Sequence, residues 1–377
     1  MNQSRIYKQP SETGLSRTVR AASAASAAVI LTAAQAASGQ TISPEFINSY
    51  ALTNLGSVAG VPASYGGLTI DPTNPGVLLL GGSANSGDGG IYSVQLLRDA
   101  LGHIIGFGTV SLRSTAPNID GGLFVGPGGL LVYAGYPINT IGQILPGSSV
   151  PDRVTTMTPL GVPASLGAVA IVPAGFPGAG RWKTTTYNGG AWCDLIVEGP
   201  DVSGLFTFTG ATIIVGSTLA GPEGIAYVPL FSALFPRPSV LVTEYNAGQV
   251  ATFEINASGD PIWETRRLIV TGLGGAEGAA IDPVTGDFLF STFGSGNQVV
   301  RVSGFNAARC LADLVGGDGN PPADGSVDGN DFSAFLNAFG AGSSLGDIVG
   351  GDGNPPSDGS VDGNDFAAFL NAFGAGC

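Results

Sequence analysis

The chain has 377 residues, of which 61 are Gly, 25 are Pro and only 11% are charged. That composition argues against long polar helices and for many short strands joined by tight turns. Acids outnumber bases 28 to 14, for a net charge of −14, which argues against nucleic acid and anionic membranes as partners and favours cations. The length suits one large domain and one small one.

The first 36 residues carry the marks of an export signal. Arg5, Lys8, Arg17 and Arg20 form a positive leader, AASAASAAVILTAA (Ala21 to Ala34) an apolar core, and Ala34-Gln35-Ala36 a small-residue cleavage site. A signal peptide is expected over 1–36, with the protein secreted or at the cell surface. The apolar core is too short to span a bilayer comfortably, and no later segment qualifies, so no transmembrane segment is expected beyond the signal peptide. An uncleaved anchor is the alternative.

Residues 41–305 contain a repeated strand signal. GGLTIDP (from Gly66), GGLFVGP (Gly121), GAVAIVP (Gly167), EGIAYVP (Glu223) and EGAAIDP (Glu277) recur at spacings of 55, 46, 56 and 54. Most are followed by a second and a third apolar run, such as SVLVTEYNAG and QVATFEIN. Four short strands per repeat of about 50 residues describe a β-propeller blade. The expectation is an all-β propeller-like body of five, or at most six, blades. The last repeat is one strand short, and EFINSYALTNLG (Glu45–Gly56) is placed to supply it. The third repeat reads as irregular, with RWKTTTYNGGAWCDLIVEG (from Arg181) stretched between its strands. A β-sandwich or solenoid is the alternative architecture.

Chemistry in the body is sparse. The sole histidine, His103, has no triad context and reads as a turn residue. GGSANSGDGG (from Gly81) has no helix after it and reads as a hairpin turn instead of a phosphate cradle. Trp182, Trp192 and Trp263 are read as core, with a carbohydrate platform as the alternative, and Cys193 as a small core residue. No catalytic residue is assigned.

The stretches P-E-G-I-A-Y-V (Pro222 to Val228) and A-E-G-A-A-I-D (Ala276 to Asp282) resemble NHL-repeat and gluconolactonase-type propellers, over a few residues per blade. That resemblance implies a metal at the channel mouth held by acids near the starts of the innermost strands. Asp120, Glu223 and Glu277 occupy corresponding places. The alternative is that they satisfy backbone amides where blades meet. The other two junctions offer Tyr65 and Leu166, which break a full ring of ligands.

The last fifth of the chain is a duplication. Asp313–Gly342 and Asp347–Gly376 agree at 27 of 30 positions with a constant offset of 34. Beyond Arg309 there are ten Asp and no Lys or Arg. In each copy, once the Pro321-Pro322 or Pro355-Pro356 pair is set aside, the acidic run reads as a twelve-residue calcium loop of EF-hand type. Oxygens stand at positions 1, 3, 5, 9 and 12, and Gly stands at 6. The first loop (318–331) offers Asp318, Asn320, Asp324, Ser326 through its carbonyl, Asp328 and Asp331. The second (352–365) offers Asp352, Asn354, Asp358, Ser360, Asp362 and Asp365. Four carboxylates this close repel one another strongly enough that the loop is expected to need a cation. Hard oxygen donors with no His or clustered Cys select calcium. After each loop, Phe332, Phe335, Leu336 and Phe339 (repeated by Phe366, Phe369, Leu370 and Phe373) mark one face of a short helix. Neither helix could persist alone, so the two faces are expected to pack together. Cys310 and Cys377 bracket the duplication, and a disulfide between them would close a loop worth about 4 kcal/mol. Free thiols are the alternative.

A duplicated calcium loop with Asp at position 12 and one following helix resembles a type I dockerin, and more closely the dockerin-like modules that end on Gly-Cys. The resemblance covers 310–377. It implies two bound calcium ions and a cohesin-like partner, in a family that often carries polysaccharide-degrading enzymes to an extracellular scaffold. Gly329-Asn330 and Gly363-Asn364 stand where dockerins often carry partner-reading side chains, so a cell-surface protein of another kind is the alternative partner. The functional expectation is an exported calcium-binding protein whose tail docks or anchors a recognition body. The alternative is a secreted hydrolase or lyase acting on carbohydrate or lactone through a metal in the propeller channel.

Overall fold

The computed structural model describes residues 39–377 apart from 216–217, 231, 295, 306–310, 322–326, 352, 354–356 and 376–377. The signal peptide and the Cys310–Cys377 pairing lie outside the described residues.

The described residues open with β1 (Thr41–Ile42) and β2 (Ala51–Gly56) and then lay down four four-stranded units and three strands of a fifth. Blade 1 holds β3 (Leu68–Ile70), β4 (Val77–Gly82), β5 (Gly90–Arg98) and β6 (Ile104–Thr115). Blade 2 holds β7 (Ile119–Val125), β8 (Leu131–Gly135), β9 (Thr140–Ile144) and β10 (Arg153–Thr156). Blade 3 holds β11 (Leu166–Ile171), β12 (Trp182–Thr186), β13 (Ala191–Glu198) and β14 (Thr207–Val215). Blade 4 runs β15 (Pro222–Tyr227), β16 (Ser239–Glu244), β17 (Gln249–Glu254) and β18 (Arg267–Thr271), with β1 added outside β18. Blade 5 begins with β19 (Ala276–Ile281), β20 (Phe288–Thr292) and β21 (Val299–Ser303). Its fourth strand is β2, antiparallel to β21 from Ala51 opposite Ser303 to Gly56 opposite Val299. The closure expected from Glu45–Gly56 is therefore the one the fold uses, and the molecule is a five-bladed β-propeller, not a sandwich or solenoid.

The innermost strands β3, β7, β11, β15 and β19 pack side by side around the axis. Glycine makes that possible. A Cβ on Gly122 would lie 2.5 Å from the Val169 backbone nitrogen, and one on Gly278 would lie 2.7 Å from the Gly67 Cα across the seam that closes the ring. Each of the five seams between blades has its own apolar core. The seam between blades 5 and 1 also carries a polar clamp. Arg98 grips Asp282 with two bonds of 2.6 and 2.9 Å, and His103 Nδ1 lies 2.7 Å from Asp287 Oδ2. The sole histidine is thus the turn residue it was read as.

Blade 3 corrects one expectation. The stretch from Arg181 is not irregular: β12 and β13 form a regular hairpin from Trp182 opposite Leu195 to Thr186 opposite Ala191. The sequence WKTTT hides it, because every residue of β12 is buried and the usual apolar–polar alternation is missing. The polar groups are paired instead. Lys183 Nζ meets Asp260 and Asp194 at 2.5 and 3.1 Å, and Thr184 Oγ1 donates to Ala168 O at 2.6 Å. Buried polar atoms with partners cost little. Trp182 and Trp192 are core residues, and Cys193 is a buried free thiol.

In the tail, α1 (Gly329–Ala341) and α2 (Gly363–Ala375) pack their phenylalanine faces together, with the Phe335 and Phe369 rings stacked at 3.9 Å. Each helix is longer than the eight-residue apolar run suggests. α1 starts one turn earlier at a capping box, with the Asp328 carboxylate accepting from the Asn330 N–H and Asp331 accepting from the Asp328 N–H. Phe176 and Leu230 of the propeller join this small core.

Candidate cation site in the propeller channel

Three of the five innermost strands carry an acid at their second residue: Asp120 in β7, Glu223 in β15 and Glu277 in β19. Near each of these residues the register with the next strand shifts, between Ile119 and Leu123, Pro222 and Gly224, and Ala276 and Ala279. A β-bulge re-aims a side chain, and here all three turn to the axis. One ligand oxygen from each lies within 4.8 Å of the other two. Hydroxyls hold the supporting backbone in place. Thr185 Oγ1 donates to Pro222 O at 3.1 Å, Ser291 Oγ donates to Gly66 O at 2.6 Å, and Thr243 Oγ1 donates to Glu277 O. The remaining junctions behave as read. Tyr65 turns its hydroxyl to Val58, 2.8 Å from the amide nitrogen, and Leu166 lies in the core between blades 2 and 3.

The three carboxylates are buried. They do not satisfy backbone amides throughout: Asp120 Oδ2, Glu223 Oε2 and both oxygens of Glu277 have no N–H or hydroxyl donor, and the Asp120 carboxyl faces both glutamates closely enough to share a proton with them. Burial raises the Asp120 pKa to about 7, and it raises Glu223 and Glu277 well above the usual carboxylate range. For the two glutamates, neighbouring acids add to the burial effect.

Above the acids opens a cavity of about 300 Å³. Its wall comes from the turn between the second and third strands of every blade. Blade 1 supplies Asn85, whose backbone sits at φ 62° and whose buried Oδ1 has no partner. The other four supply Tyr136, Tyr187, Tyr245 and Phe293. Successive rings stand 5.9, 5.6 and 6.2 Å apart, at interplanar angles of 77°, 84° and 59°. Tyr187 is fixed by a 2.9 Å bond from its hydroxyl to Asn246 Oδ1. Burial, followed by the charge of the acids, raises the pKa of Tyr187 and Tyr245, so both remain neutral phenols. Sequence reasoning found the three acids but missed Asn85 and the aromatic wall. The signal for the wall was present: an aromatic follows the second strand in AGYPIN, TTYNGG, TEYNAG and STFGSG.

In the tail, Asp331 and Asp365 are buried, and each holds backbone amides. Asp331 accepts from Leu314 N, Val315 N and Asp328 N at 2.8 to 2.9 Å, and Asp365 accepts from Ile348 N, Val349 N and Asp362 N at 2.7 to 2.9 Å. Asp328 and Asp362 accept from the amides of Asn330 and Asn364 at 2.7 Å. Asp318 accepts from the Asn320 N–H at 3.0 Å, and Asp358 from the Ser360 N–H at 2.9 Å. Asp324, Ser326, Asp352 and Asn354 lie outside the described residues.

No protein-family model matches the chain, and no curated protein aligns with it. Among solved structures, it is similar to the PQQ domain of pyranose dehydrogenase from Coprinopsis cinerea. Identity there is 11%, over 70% of this chain and 97% of that one, with a TM-score of 0.40. An auxiliary nutrient binding protein from Bacteroides thetaiotaomicron matches at 9% identity over 67% and 76% of the two chains, with a TM-score of 0.41. Glutaminyl cyclase from Myxococcus xanthus matches at 12% over 70% and 95%, with a TM-score of 0.40. Among the described residues, no helix is long and apolar enough to cross a membrane.

Proposed function

We propose that the propeller is a cation-dependent hydrolase or lyase body acting on a small carbohydrate or lactone, exported and carried by a calcium-loaded, dockerin-like tail that docks on a cohesin-like or cell-surface protein. The observation that carries the enzyme reading is the set of buried oxygens without N–H or hydroxyl donors on Asp120, Glu223 and Glu277 beneath an open cavity. Their convergence favours this reading over the plain recognition platform suggested by the sequence.

The donor set fits a hard cation. It contains only carboxylate oxygens, with the unpartnered Asn85 Oδ1 on the wall of the same cavity, and the 4.8 Å spread is about twice a calcium–oxygen bond of 2.3–2.6 Å. Among the described residues, no His or Cys lines the cavity, so zinc fits poorly. When bound, a divalent cation supplies Lewis-acid polarisation of a carbonyl or hydroxyl oxygen. The chain's own residues hold it, orient the ligand between the rings, and keep bulk water from the floor of the cavity. For the tail, support comes from the duplicated acidic loops and the paired helices.

Terbium luminescence tests the channel. The tail beyond Cys310 has no Tyr or Trp, whereas Tyr136, Tyr187 and Tyr245 surround the channel. Excitation of the full chain at the tyrosine band should give sensitised terbium emission that calcium displaces. A triple D120N/E223Q/E277Q variant should lose that emission. Equal emission from the wild type and the triple variant would sink the channel reading.

A further inference from the structure

The aromatic wall has a chemistry of its own. Tyr136, Tyr187 and Tyr245 meet at 77° and 84° with centroids 5.9 and 5.6 Å apart, so they stand as adjacent walls of a box, and Phe293 extends the row. All four rings are half-buried and line the cavity. The floor of the box is acidic, and among the described residues no Lys, Arg or His lines it. Three carboxylates and one divalent cation would leave one negative charge inside the cavity, which a ligand carrying a carboxylate or phosphate would make worse and a monocation would cancel. Aromatic faces within about 6 Å attract an organic cation through their quadrupoles.

We propose that the ligand of this cavity carries a protonated or quaternary amine, which lodges between the Tyr136, Tyr187, Tyr245 and Phe293 rings while its oxygen atoms face the carboxylate floor. This rests on the cation-site reading above and names the substrate class for it: an amine-bearing polar compound. The amine end would lie against the rings and the oxygen-rich end would face the cation.

Calorimetry on the full chain in calcium tests this with choline and its neutral isostere 3,3-dimethylbutan-1-ol. The two have the same shape and differ in charge. Choline should bind, and the isostere should bind at least about tenfold more weakly, the worth of one to two cation–π contacts. Tyr187→Leu and Tyr245→Leu should each weaken choline about fivefold to tenfold while calcium binding to the full chain and the melting temperature stay near wild type. Equal affinity for the two probes, or no choline binding in a chain that binds terbium in the channel, would overturn the amine assignment and leave the cation site standing. Loss of sensitised terbium emission together with loss of choline binding in D120N/E223Q/E277Q would support both readings. Choline binding unaffected by that triple variant would overturn the placement of the amine above the acids.

Discussion

Three buried acids facing one another should make the chelated protein less stable as pH rises. In the folded chain the Asp120 carboxyl is raised from 3.8 to about 7, so between those values the native state holds a proton that the unfolded chain has released. Stability then falls with increasing pH: the contribution is fully present below about 4 and is lost as pH passes about 7. The gap corresponds to about 4 kcal/mol at 1.36 kcal/mol per pH unit. Glu223 and Glu277 are raised for the same reason and act in the same direction. For a body of this size, 4 kcal/mol is roughly 10 °C in melting temperature. Melting curves followed by circular dichroism in excess chelator, from pH 4 to pH 8, should show that drop for the wild type and a much flatter profile for D120N/E223Q/E277Q. The carboxamides keep the shape and remove the charges, and the tail and all other acids are common to both chains, so the difference between the curves isolates the channel. Calcium at about a hundred times its dissociation constant should restore about 2.7 kcal/mol at pH 8. Parallel wild-type and variant profiles would show that burial does not hold these carboxyls protonated in the folded state, and the cation site would lose its physical basis.

Other outcomes follow from single contacts. His103→Ala leaves the buried Asp287 carboxylate without its 2.7 Å partner and should cost about 1–3 kcal/mol in urea unfolding; an unchanged midpoint would show that the clamp between blades 5 and 1 is not energetic. Asp331→Ala removes the acceptor for three backbone amides and should cost roughly 3 kcal/mol in the tail, read as faster hydrogen exchange at Leu314 and Val315. Unaltered exchange there would contradict the clamp. Gly122→Ala forces a Cβ to 2.5 Å from a backbone nitrogen and should destabilise by about 3 kcal/mol, while Gly87→Ala, with nothing within 4 Å, should be nearly neutral. Equal effects would mean that the innermost strands are not held by close glycine contact.

The blades were legible because a glycine, a short apolar run and a proline recur wherever an innermost strand must approach its neighbour and then turn. The acids were legible because they stand at or one residue before the start of that repeat, Glu223 and Glu277 at its first position and Asp120 just ahead of it. The third blade was not, since WKTTT satisfies its polar atoms with partners such as Asp260, 77 residues away from Lys183, which no local pattern encodes. Asn85 and the rings were hidden in stretches that look like ordinary hairpin turns. An aromatic after a strand serves core packing as well as it serves a cavity wall, and only closure of the ring brings Tyr136, Tyr187, Tyr245 and Phe293 into one box. In the tail, an acid one turn into a helix suits both a calcium loop and a capping box. The spacing of Asp331 and Asp365 was plain from the sequence, whereas their grip on the preceding backbone was not.

Topology also fixes which way the cavity faces. Successive antiparallel connections alternate between the two ends of a blade. Tyr187 and Tyr245 lie between second and third strands, whereas Phe176 and Leu230, which pack on the tail, lie between first and second strands of the same blades 3 and 4. The rings and the tail therefore occupy opposite faces of the propeller. The chain reaches the tail face because β21, the third strand of the last blade, runs away from the rings, and β2 fills the fourth place from the other end of the sequence. Had the fourth strand come from the C-terminal side instead, the tail would have emerged beside the cavity. Completing the ring with the N-terminal strand thus does two things: it seals blade 5 against blade 1, and it leaves the mouth of the cation site clear of the module proposed to anchor it.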